Sequence, residues 1–280
     1  MKKKKKGKRG RFLRTLFLIV VLILLAGIAY YFFYPNVSKL KRENPKKTAF
    51  MEYRQKERKV QGKKFTIQQK WVPLSRISNY LIKAVIIAED DKFWKHEGFD
   101  FDAIQKAIER DLREGKFKFG GSTISQQLVK NLYLSPSKNP VRKLQEAFIT
   151  WRMERNLSKR RILELYLNVV EWGDAIFGIE AASLHYYGKP AMALSVEEAS
   201  RLAAVLPNPL KYNVKGGSSY VEKRAAIIYH VMVKRGIVIP EYEELKGSPE
   251  NGQGRDSLPS EGGPEEGDAP RPQPDRQDNS

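Results

Sequence analysis

The sequence predicts a mainly α-helical domain behind a single membrane-spanning helix. Three observations carry that expectation. Apolar residues recur at helical spacing in one segment after another. Capping residues stand where those segments begin. Leu16 to Tyr34 is a run of 19 residues without a charge, which as a helix extends about 28 Å, enough to cross a bilayer core. No alternating strand series and no repeat interrupts the pattern.

The elements follow in order. Residues 1–15 form a basic tail, with nine lysines and arginines and no acid in the first 14 positions. The positive-inside rule keeps that tail in the cytoplasm and sends the rest across, so residues 16–34 are expected to be an uncleaved anchor. Tyr30, Tyr31, Phe32, Phe33 and Tyr34 crowd its far end like an interfacial aromatic belt, and they make a poor small-residue cleavage site for a signal peptide. Residues 35–70, polar and basic, read as a juxtamembrane linker with short extended pieces.

Residues 71–246 read as one domain with a single core. Leu81, Val85 and Ala88 share a face leading to Glu89. Asp100 caps a helix carrying Phe101, Ile104, Ile108 and Leu112. Ile124, Leu128 and Leu132 continue after a glycine pair. Pro140 suits a first helical turn, with Leu144, Phe148 and Trp151 expected on the buried side. Ser158 caps a helix with Ile162, Leu165 and Tyr166. Ser195 and Glu198 form a capping box before Leu202, Ala203 and Leu206, a helix that Pro207-Asn208-Pro209 ends. Val221, Ala225, Ile228 and Met232 make a last stripe, stopped by Gly236. Residues 247–280 hold eight acids and three arginines among Pro, Gly and Ser, and are expected to be a disordered acidic tail.

Charge narrows the partners. The chain carries +19, and the body between the basic and acidic ends is still strongly positive. Outside the cytoplasm such charge meets anionic head groups of the bilayer and pyrophosphate rather than nucleic acid. Cysteine is absent, which excludes disulfides and thiol chemistry. His96, His185 and His230 lack metal-ligand spacing, so no protein metal motif is expected.

Three clusters could carry chemistry. Glu89 follows the apolar Val85-Ile86-Ile87-Ala88. Burial and the neighbours Asp90 and Asp91 would push its pKa up toward that of a general base; the alternative is a solvated helix end with three acids. Gly120-Gly121 precede a helix whose free N–H groups could face an anion. Ser122, Thr123, Gln126 and Gln127 would add polar contacts and Lys130 a charge; the alternative is an ordinary capped turn. Arg142, Lys143 and Glu146 are either a surface ion-pair cluster or pyrophosphate-binding cations with a second carboxylate. Glu164, inside an apolar helix, is expected to be structural.

These clusters fall in a recognisable order. Glu89 to Asp100, Gly120 to Asn131, Arg142 to Glu146, Arg161 to Asn168 and Ala203 to Pro209 resemble the five motifs of the peptidoglycan glycosyltransferases, over roughly residues 71–235. Glu171 to Gly178, and the lack of room for a transpeptidase domain, point to the monofunctional members. The resemblance implies a lysozyme-like, two-lobed helical glycosyltransferase domain that joins lipid II to a growing lipid-linked glycan. It implies that Glu89 takes a proton from the acceptor hydroxyl, and that attack inverts the donor anomeric carbon. It places Lys130, Arg142 and Lys138 on the leaving polyprenyl pyrophosphate, with Glu146 orienting this group. No cofactor is required; a divalent cation, Mg or Mn, near Glu89 and Glu146 is compatible with it. The expected setting is the bacterial cytoplasmic membrane, with other wall-synthesis proteins as candidate partners. The competing readings are a lytic transglycosylase or muramidase, and a non-catalytic, membrane-anchored wall-binding scaffold.

Overall fold

A computed structural model describes residues 4–115, 121–136 and 140–239. Residues 1–238 form one compact unit. The expected acidic tail, 247–280, lies outside the described residues, as do Gly120 and Lys138.

The first helix, α1 (Lys4–Phe33), contains an apolar span, Gly10–Tyr30, with mean hydropathy 2.7 and none of that span buried against protein. It is long and apolar enough to cross a membrane, and it begins further toward the N-terminus than the uncharged run alone indicates. Tyr30 and Tyr34 stack at its end with ring centroids 5.4 Å apart.

Residues 35–70 are not a linker. They hold a 3-10 turn (Val37–Lys41) and a helix, α2 (Ala49–Val60), started by Thr48, whose hydroxyl accepts from the Met51 amide. Val37, Leu40 and Met51 are buried. Arg54 pairs with the buried Glu171 and Arg58 with Asp174, so charge as well as apolar contact ties the segment to the domain.

The domain then runs through α3 (Asn79–Glu89), α4 (Phe101–Glu114), α5 (Ile124–Tyr133), α6 (Pro140–Asn156), α7 (Lys159–Val169), α8 (Ile179–Tyr187), α9 (Val196–Val205) and α10 (Ser219–Lys234). The caps expected at Asp100, Ser158 and Ser195 all form, the last as a full capping box. A small sheet went unread: β1 (Gln68–Gln69) pairs in parallel with β3 (Ile176–Phe177), which pairs antiparallel with β2 (Glu171–Gly173).

Two faces differ from expectation. On α6, Leu144 and Trp151 are exposed, and the buried face is Glu146, Ile149, Thr150 and Met153. On α4 the apolar stripe exists but Phe101, Ile108 and Leu112 stay exposed. Packing divides the domain into two groups that position the site. The α3 helix lies against α9 and α10, whereas α5 lies against α2, α6 and α7.

Candidate active site

Glu89 is the last residue of α3, carried to the edge of the core by the fully buried Leu81, Ala84 and Val85. Its carboxylate is held from two sides. Gln127 of α5 donates from Nε2 to Oε2 at 2.9 Å. The amide is itself oriented, because Tyr166 of α7 donates its hydroxyl to Gln127 Oε1 at 2.9 Å. From α10, Arg224 Nη2 stands 3.5 Å from Glu89 Oε1, and Oε1 is buried without a hydrogen bond. Burial raises the pKa of Glu89; Gln127, Arg224 and Lys130 oppose the shift and Asp90 adds to it. Tyr166 is pushed well above its ordinary value, by burial first and then by Glu89 and Asp90, so its hydroxyl keeps the proton it donates.

Of the neighbouring acids, Asp90 adds to the Glu89 shift as expected, and each also makes bonds of its own. Asp91 turns away to pair with Arg235, at 2.5 and 2.9 Å. Asp90 is buried and accepts from the Ile124 amide at 2.9 Å, so it caps the start of α5. It also faces His96 Nε2 at 2.9 Å. The Gly98 amide donates to His96 Nδ1 at 3.0 Å, which places the imidazole proton on Nε2, toward Asp90. Gly98 has φ +92°, and a Cβ there would lie 2.9 Å from both Glu154 Cγ and Thr150 Cγ2. Its carbonyl accepts from Thr123 Oγ1 at 2.7 Å. Glu89 is therefore fixed to the start of α5 by a continuous set of bonds.

These bonds revise the anion cradle. Thr123 Oγ1 accepts from the Gln126 amide, and Gln126 Oε1 accepts from the Thr123 amide at 3.0 Å. With Asp90 on Ile124, these helix-start donors are already used, and Thr123 and Gln126 are buried. Gln127 spends its donor on Glu89 rather than on a free surface. Ser122 is exposed at the loop end.

Lys130 joins the two halves of the site. Its side chain is exposed, yet desolvation lowers its pKa; Glu146 and Glu89 oppose the shift, and Lys143 and Arg142 add to it. The ammonium is thus within electrostatic reach of both carboxylates. Glu146 is only 2% exposed, so the cluster on α6 is no surface ion pair. Arg142 donates to Glu146 Oε2 at 3.0 Å, and Lys143 bonds Oε1. Glu164 is structural as expected: it accepts from the Leu74 amide at 2.9 Å and pairs with Arg161. No group of three or more His, Asp or Glu among the described residues could hold a metal ion. A separate cavity, of about 840 Å³ and lined in part by Trp94, Arg160 and Met192, contains none of these site residues.

The arrangement can remove a proton at Glu89 while Lys130 offsets negative charge close by. Sequence reasoning missed Arg224 and the clamping role of Tyr166. At Tyr166 the helical spacing indicates packing and gives no sign of the hydroxyl's bond to Gln127. The one signal for Arg224 was its place beside the buried stripe of Val221, Ala225 and Ile228.

Known proteins resemble this chain over most of its length. A family model described as transglycosylase matches residues 56–233. A biosynthetic peptidoglycan transglycosylase of Nitrosospira multiformis is 50% identical over 194 residues, covering 69% of this chain and 84% of that protein. Proteins of the same description from Janthinobacterium sp. and Aromatoleum aromaticum are 45% and 53% identical over 215 and 174 residues. These alignments cover 77% and 62% of this chain, and 93% and 76% of those proteins.

Proposed function

The chain belongs to the transglycosylase family, with its lysozyme-like helical fold and its glycosyltransferase activity in peptidoglycan synthesis, and on that premise we propose that it polymerises lipid II. In this reading Glu89 takes the proton from the 4-hydroxyl of the acceptor GlcNAc. The acceptor oxygen bonds to the donor anomeric carbon from the face opposite the leaving group. The bond from that carbon to the phosphate oxygen breaks, and its electron pair leaves with the polyprenyl pyrophosphate. The product is an inverted β-1,4 link. Lys130, with Arg142 and Lys143 alongside, offsets the charge that gathers on the leaving group. Glu146 orients those cations.

The observation that carries the reading is the setting of Glu89: a buried carboxylate with a raised pKa, held by Gln127, with Lys130 in electrostatic reach. Burial makes the carboxylate a stronger base, and the nearby cation suits an anionic leaving group. In this reading any Mg or Mn would come with the pyrophosphate, since no cluster of three acids or histidines that could hold a metal ion gathers among the described residues, and no step here runs through it. The exposed apolar span of α1 and the basic residues at the helix's N-terminal end support a single-pass anchor in the cytoplasmic membrane, N-terminus inside. That topology would confine the cleft near the leaflet where both lipid-linked substrates lie.

The test is chain growth from lipid II by the detergent-solubilised protein, beside its action on purified wall. Polymer from lipid II and no soluble fragments from wall is the expected result. Glu89→Gln should lower the rate by about 100- to 10,000-fold, the usual range for a positioned base. Fragments released from wall would favour lysis, and unchanged polymerisation by Glu89→Gln would remove Glu89 as the base.

A further inference from the structure

Arg224 projects from α10, 135 positions after Glu89, into the back of the site. Its Nη2 donates to the Ala88 carbonyl at 3.0 Å, in the last turn of α3. The same nitrogen stands 3.5 Å from Glu89 Oε1, too far for a strong bond but close enough to act by charge. Arg224 Nε and Glu89 Oε1 are both buried and both lack a hydrogen bond. Burying a guanidinium nitrogen and a carboxylate oxygen unpaired is costly, so packing alone is a poor reason to keep them there.

We propose that Arg224 is a positioning residue for the glycosyl transfer: it ties the end of α3 to α10 and holds a fixed positive charge against the Oε1 side of Glu89, while Gln127 fixes the Oε2 side. This rests on the reading of Glu89 as the base. A carboxylate held on one side only would rotate about its terminal torsion, which is broad. With an amide at one oxygen and a cation at the other, its plane is set before substrate arrives.

The charge also sets when Glu89 is ionised. The groups facing it are Arg224 from α10, Lys130 from α5 and Asp90 on its own strand of chain, with the Tyr166 hydroxyl of α7 beyond Gln127. The charged residues of α9, the other helix against α3, turn elsewhere: Glu197 to Ser195, Glu198 to Lys189 and Arg201 to Glu222. Arg224 favours the ionised form. Its removal therefore raises the pKa of Glu89, and the acidic limb of the rate profile moves to higher pH.

The experiment uses the full chain in detergent, with Arg224→Gln, Arg224→Lys and Glu89→Gln side by side. Steady-state polymerisation of lipid II is measured across pH, and thermal unfolding checks the fold. Arg224→Gln should lower kcat by about tenfold or more, as small misplacements of a catalytic group do, with KM for lipid II nearly unchanged and the acidic limb displaced upward. Arg224→Lys keeps the charge and should hold the limb near its wild-type position. A wild-type kcat and limb for Arg224→Gln, with Glu89→Gln inactive, would overturn the role of Arg224 and leave the base in place. A change in KM alone, or a limb equally displaced in the lysine variant, would also overturn it. An active Glu89→Gln protein would instead remove the reading on which the inference stands.

Discussion

Replacing Asp90 by alanine should cost both stability and rate, because this carboxylate joins the end of α3 to the start of α5. Its side chain is buried and accepts from the Ile124 amide at 2.9 Å and from His96 Nε2 at 2.9 Å. Alanine leaves both donors in the interior without a partner. A hydrogen bond to a charged group contributes about 1.5–3 kcal/mol, and each stranded buried donor costs about 1–3 kcal/mol. Counting the two bonds once each, the loss is about 3–6 kcal/mol. For a domain of this size each kcal/mol moves Tm by about 2–4 °C, so Asp90→Ala should melt about 6–24 °C below wild type. Asp90→Asn keeps an oxygen for Ile124 and should lose less than half of that. Circular dichroism at 222 nm (the usual helical band) follows the melt in detergent, and polymerisation of lipid II follows the site. An Asp90→Ala protein that melts within about 2 °C of wild type would refute the reasoning, since two charged hydrogen bonds cannot vanish from a core without a measurable shift.

Other perturbations test other parts of the same framework. Gly98→Ala meets Thr150 and Glu154 at 2.9 Å in a backbone conformation of φ +92°, and should lose about 1–3 kcal/mol in a thermal melt. Arg54→Ala strands Glu171, whose side chain is 4% exposed and which Arg54 contacts at 3.0 and 2.8 Å; breaking such a buried pair costs about 3–5 kcal/mol, and Arg54→Met with Glu171→Leu should recover most of it. Glu89→Gln should raise Tm at neutral pH. The folded pKa of Glu89 lies above its ordinary 4.5, so the ionised group weakens the fold once pH exceeds the folded value, and that penalty fades as pH falls toward 4.5. The gap in Tm between Glu89→Gln and wild type should therefore close on acidification; a gap independent of pH would contradict the burial argument.

What could be read from sequence was what local rules govern. Asp100, Ser158 and Ser195 announce helix starts because a cap is made within three residues of itself. Leu81, Val85 and the Ile124, Leu128, Leu132 series show their buried faces by spacing. The failures are non-local. Val37, Leu40 and Met51 are too few to form a periodic stripe, and the contacts that make residues 35–70 part of the fold, such as Arg54 with Glu171, are to residues far along the chain. The strands are two or three residues long, below the length at which alternation can be seen. On α6 the spacing points the apolar Leu144 inward, yet Glu146 is the buried residue, because Arg142 and Lys143 one turn away neutralise it. Arg224 reaches Glu89 from a helix more than a hundred residues distant, with no local mark beyond a cation beside an apolar stripe.

The same geometry separates the two carboxylates, Glu89 and Glu146, that the sequence offers for the site. Glu146 is bonded by Arg142 at 3.0 Å and by Lys143 through its other oxygen. To accept a proton it would have to give up charge-assisted bonds on both oxygens, each stronger than a neutral one. Glu89 has one neutral donor, the Gln127 amide, and one cation at 3.5 Å that makes no hydrogen bond to it. Protonating Glu89 gives up little, and its burial favours the neutral form. Of two buried acids near one lysine, the one with fewer charged partners is better suited to act as the base in the proposed reaction. The other serves better as the anchor that keeps Arg142 and Lys143 in place, their positive charge beside Lys130. On this division Glu146→Gln should loosen those cations and weaken turnover without shifting the acidic limb that Glu89 sets. A limb that moved as far as in Arg224→Gln would show that the two acids titrate as one unit instead.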